Sequence, residues 1–140
     1  MLSLIVAAVA AMPAVDTDAI PKAQAEIASA CGVTLPLSVA WADFGDDEGG
    51  AQALAASKLT FVGAAFASVC KDVGLKVEVG KQISKVVLRQ AYGATEPILY
   101  ISKGTLFIEY LWVPNDPVPD TAFVASEIAD RLRGGEPAAP

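Results

Sequence analysis

Between Leu59 and Cys70 the chain carries no charged side chain. That run fixes more of the fold than any other feature. Leu59, Val62, Phe66 and Val69 recur at helical spacing, while Gly63, Ala64, Ala67 and Ser68 allow a neighbouring backbone to approach closely on another side. A helix that is apolar nearly all round must be buried, so this segment is expected to be the central helix of one core. Lys58 and Lys71 bracket it too closely for a membrane span, which needs about 20 apolar residues. The helix is expected to begin near residue 48, capped by Asp46 or Asp47.

The other elements arrange themselves around it. Pro21 suits a first helical turn and Gly32 a helix end, giving a first helix over residues 18–31 with Asp16 to Asp18 offering capping oxygens. Leu35, Leu37, Val39 and Trp41 share one parity, which reads as a strand within 33–44. Residues 73–83 are ambiguous between strand and helix; Gly80 and Lys81 interrupt the alternation and favour a short helix. From Ser84 the pattern is β. Residues 97–102 and 105–113 flank Lys103-Gly104, a two-residue hairpin turn whose glycine supplies positive φ. After the proline-rich bend 114–119, Asp120 caps a last helix with the stripe Val124, Ile128 and Leu132, stopped at Gly134-Gly135.

The order α-β-α-(α)-β-β-β-α is that of an α+β domain. The three closely spaced strands predict an antiparallel sheet of three to four strands packed with three helices. One domain suffices for 140 residues. It is assigned to 15–134, with a disordered tail at 135–140.

Residues 2–12 are wholly uncharged and have the length of a signal-peptide core, with small residues following up to Ala14. Residues 1–14 are therefore expected to be a signal peptide or a retained N-terminal anchor, and the protein to be periplasmic or secreted. The two cysteines agree with export. Cys31 and Cys70 each close a helix, and an even cysteine count in an exported chain reads as a disulfide.

Chemistry is sparse. The chain has no histidine, the usual general base and the commonest zinc ligand. Nucleophile-elbow, phosphate-loop and dinucleotide-binding motifs are absent from the sequence. Neither a cofactor nor a metal is expected. Asp43, Asp46, Asp47 and Glu48 could in principle bind a hard cation or serve a carboxylate-dependent hydrolase, but a solvated helix start accounts for them more simply. The net charge of −6 argues against nucleic acid as a partner. It is unevenly spread, since residues 71–103 carry six bases against Asp72, Glu78 and Glu96.

What remains is the sheet. Leu106, Ile108, Tyr110 and Trp112 occupy one parity of the last strand, and Phe107, Glu109, Leu111 and Val113 the other. A strand apolar on both faces is either covered twice or meets a partner. If one face is open, Tyr100, Tyr110 and Trp112 are expected to form an aromatic patch rimmed by Lys85 and Arg89. The sequence thus favours a small exported, non-catalytic module that binds a protein or small molecule. A hydrolase and a self-associating subunit are the alternatives, and membrane contact is expected only through an uncleaved N-terminus.

Overall fold

The computed structural model describes residues 19–47, 49, 59–112 and 119–134. The expected leader, the start of the second helix, the proline-rich bend and the tail lie outside the described residues. Within them the protein is α+β, with helices α1 (Ala19–Cys31), α2 (Thr60–Val69), α3 (Val73–Gln82) and α4 (Thr121–Leu132) and strands β1 (Leu37–Val39), β2 (Lys85–Gln90), β3 (Ile98–Ser102) and β4 (Thr105–Tyr110).

Local chemistry explains most boundaries. Gly32 takes φ 73° and returns its N–H to the Ala28 carbonyl at 2.9 Å, closing α1. Asp72 caps α3 by accepting from the Leu75 N–H at 3.0 Å, and Asp120 caps α4 by accepting from the Ala122 N–H at 3.0 Å. The segment 73–82 is a helix, as its interrupted alternation suggests. Helix α2 buries Phe61, Val62, Gly63, Ala65, Phe66 and Val69, and packs against α1 on one side and α4 on the other. At Gly63 the approach is close: a Cβ there would stand 3.1 Å from the Cβ of Glu26 in α1.

The first strand is shorter than the sequence suggests. After Ala40 donates to the Leu88 carbonyl at 2.9 Å, the chain turns into a single 3₁₀ turn, Trp41–Phe44. This carries Phe44 into the core and leaves Asp43 free to reach β2.

The sheet is mixed, which corrects the antiparallel expectation. Its order is β1-β2-β4-β3; β1, β2 and β4 run parallel, and only β3 is antiparallel to β4. Residues 91–97 carry the chain past one strand position, so β3 forms the edge and β4 returns between it and β2. The reason lies in the side chains. Strand β3 follows Pro97 and ends in exposed Ser102, which suits an edge, and β4 takes the place between it and β2. Among the described residues the helices number four rather than three, because the bracketed segment 73–83 forms a helix of its own, α3.

One side of the sheet makes the core. Val86 and Leu88, Leu99, and Leu106 and Ile108 are fully buried beneath the helices. The opposite parity is only half-buried or exposed at Ser38, Val87, Arg89, Tyr100, Phe107 and Glu109. The fold is thus two layers, with helices over the inner face. Cys31 and Cys70 are bridged, with Cα atoms 5.3 Å apart, joining the end of α1 to the end of α2.

Candidate functional site

Two rows of side chains cross the outer face. Register pairs Ser38 with Val87, Val87 with Phe107, and Phe107 with Tyr100. The next row pairs Arg89 with Glu109 and Glu109 with Ile98. Directly opposed residues share a face and touch. The Tyr100 and Phe107 rings stack with centroids 5.0 Å apart.

Beside this stack lies a charged network. Arg89 donates from Nε to Asp43 Oδ2 at 2.9 Å, and its Nη1 stands 3.6 Å from Glu109 Oε2. The Tyr100 hydroxyl donates to that same Glu109 oxygen. Two elements therefore converge on the guanidinium that β2 presents: the 3₁₀ turn and β4. The Asp43 hydrogen bond, first among several partners, holds Arg89 above its ordinary pKa. At 41% side-chain exposure it remains within reach of a ligand in solvent.

The same end of the sheet carries a second, more buried cluster. Gln90 uses its side-chain amide as a strand extension: it accepts from the Trp112 N–H at 2.8 Å and donates to the Trp112 carbonyl at 3.1 Å. It also donates to Asp47 Oδ2 at 3.1 Å, to which the Tyr92 hydroxyl donates at 3.0 Å. These contacts tie the acidic loop to the carboxyl ends of the parallel strands, the edge where open sheets with parallel strands commonly bind ligands. Asp43 and Asp47 are both engaged by protein donors there. Asp46 lies in the same turn, and Glu48 is outside the described residues. Among the described residues, no group of three or more acids or cysteines is placed to hold a metal ion.

The residues expected to form the patch divide between the two faces. Tyr100, Arg89 and Lys85 lie on the outer face, but Lys85 sits at the far end of β2, opposite Thr105. Tyr110 follows the inner parity. Trp112 is fully buried, its ring 5.7 Å from Phe61 of α2 and edge-on to Tyr110 at 5.3 Å. It cannot line an open surface, because the inner face is the one the helices cover. Phe107 and Glu109 take the places expected for Tyr110 and Trp112. The hairpin held the signal: with Lys103-Gly104 as a two-residue turn, Ser102 opposes Thr105 and Tyr100 must oppose Phe107.

Tyr100 yields a direct prediction. Burial, and then its hydrogen bond to Glu109, raises the phenol pKa. The folded state therefore holds this proton more tightly than the unfolded chain. The associated stability is present below the ordinary phenol value of about 10 and is lost as pH rises through the higher folded value. Titration of tyrosinate absorbance should show a late-ionising phenol that Tyr100→Phe removes. An unchanged titration in the variant would refute the assignment.

Comparison of the chain with protein-family models, with curated proteins and with solved structures finds no match.

Proposed function

We propose that this chain is an exported, non-catalytic domain that binds a protein partner through the outer face of its sheet. The observation that carries this reading is the Tyr100–Phe107 stack beside Arg89, on a face that no described helix covers. Aromatic rings and arginine are the side chains in which interface energy concentrates. The arginine is already oriented by Asp43 and Glu109, so little conformational freedom is lost on binding.

The disulfide supports the compartment, since such bonds persist where the surroundings are oxidising. No helix among the described residues is long and apolar enough to cross a membrane.

Photocrosslinking in the native cell tests the reading. A photoreactive residue at Val87, in the middle of the outer face, should give a discrete heavier adduct from the extracytoplasmic fraction. Tyr100→Ala with Phe107→Ala should abolish it, and the same probe at exposed Asp130 on α4 should not produce it. An adduct of twice the chain's mass would show self-association instead. Equal labelling from Val87 and Asp130 would sink the proposal.

A further inference from the structure

Helix α3 is amphipathic in an unusual sense. Its inner side buries Leu75 and Val79. Its most solvent-facing side carries Val73 and Val77, 77% and 50% exposed, where a solvated helix ordinarily places polar residues. At about 100° per residue, Val73, Val77 and Gly80 form one stripe diametrically away from the core, with Lys76 on one flank and Lys81 on the other. Valine and glycine are poor helix formers, so helix formation does not explain their presence on this face. Of the acids of the segment, Asp72 caps the helix, and Glu78 accepts from Gln82 and stands 3.9 Å from Lys81, a long, exposed ion pair that a headgroup phosphate can replace.

The basic character continues beyond the helix. Lys71 precedes it and Lys85 follows it, both exposed. The β3–β4 turn is drawn to the same end, because the Gly104 carbonyl accepts from the Ser84 N–H at 2.6 Å and from the Ser84 hydroxyl at 3.0 Å. Exposed Lys103 joins the group there. Lys71, Lys76 and Lys81 therefore lie on or beside the helix that carries the two exposed valines, with Lys85 and Lys103 beyond its C-terminal end, in a protein whose net charge is −6.

We infer that α3 is a peripheral contact site for an anionic lipid surface, with Val73 and Val77 entering the interface and the lysines pairing with headgroups. The composition selects this occupant. Protein interfaces are depleted in lysine and enriched in arginine and aromatic residues, none of which occurs in α3. Lysines flanking a short apolar stripe are what a headgroup layer accommodates, since their stems lie along the apolar boundary while the ammonium groups stay in water. The contact is weak and reversible, because two valines bury little area. It leaves the outer face of the sheet free, as α3 lies in the helix layer.

The test is co-sedimentation of the full, oxidised chain with vesicles of zwitterionic lipid and with vesicles containing anionic phospholipid, at low and high salt. Binding should be stronger on the anionic vesicles and should fall with salt. Lys76→Gln with Lys81→Gln should weaken the anionic partition coefficient roughly 10- to 30-fold, at about 5-fold per lysine. Glutamine keeps a stem at Lys76, which lies near Gly32 at the end of α1. Val73→Ser with Val77→Ser should weaken it several-fold with the salt dependence retained. Circular dichroism would confirm that both variants are folded. Equal binding to both vesicle types that neither salt nor the substitutions alters would assign the interaction to residues 2–12 and overturn the inference. Absence of binding to anionic vesicles would overturn it too.

Discussion

Replacing Cys31 and Cys70 together by alanine is expected to lower the free energy of unfolding by about 4 kcal/mol. The bridge spans 39 residues in sequence, and on the chain-entropy account a loop of that size restricts the unfolded ensemble by roughly this amount. Domains of this class are stable by only about 5–15 kcal/mol, so the variant should be marginal. For a chain of this length the midpoint of thermal unfolding should fall by on the order of 10–20 °C. The position of the bridge matters as much as its loop. It fastens α1 to α2 at their ends, and between them those helices bring Ile27, Val62 and Phe66 to complete burial. Thermal melts of the oxidised protein and the double variant measure the difference. A loss below about 1 kcal/mol would mean that the unfolded chain already holds these helices together, and the bridge would then carry no argument about compartment.

Legibility from sequence followed the range of the interactions. Features set within a few residues were readable: the cap at Asp120, the helix end at Gly32, the hairpin turn and the charge-free helix. Asp120 succeeds as a cap because its carboxylate needs only the Ala122 N–H two residues on. The pairing of Cys31 with Cys70 was readable for a different reason, since two cysteines admit one intramolecular connection.

The sheet order was not readable, because it depends on which strand takes the edge. Sequence adjacency favoured a meander. Pro97 suited β3 to the edge, and the seven residues 91–97 gave the chain room to pass over. The patch was half legible for a related reason. Periodicity separates the two faces of a strand but does not say which one the helices take. Tyr100 and Arg89 were assigned together and lie together, whereas Tyr110 and Trp112 went to the covered side. The Asp43–Arg89 pair spans 46 residues and depends on the strand ending at Val39. Alternation through Trp41 had suggested a longer strand, which would have carried Asp43 elsewhere.

Trp112 is where that division has its largest consequence, and Trp112→Ala is expected to cost about 3–5 kcal/mol. The side chain is 0% exposed and packs on Phe61 and Tyr110, so truncation removes a large buried ring and leaves a cavity between sheet and helix layer. Its indole N–H also donates to the Arg89 carbonyl at 3.0 Å, a hydrogen bond that the alanine variant loses. Trp112→Phe separates the two effects, since most of the apolar volume is kept and the donor is lost; about 1–3 kcal/mol is expected. Gln90→Leu isolates the remaining contribution, because the Trp112 backbone N–H and carbonyl would lose the side-chain amide that pairs both. Urea unfolding followed by far-ultraviolet circular dichroism would give all three values. If Trp112→Ala cost less than about 1 kcal/mol, the ring would have to lie at the surface, and an aromatic patch containing Trp112 would return as the better account of the binding face. A full-sized loss would leave Tyr100, Phe107 and Arg89 to carry recognition, with Trp112 holding the end of the strand that presents the arginine.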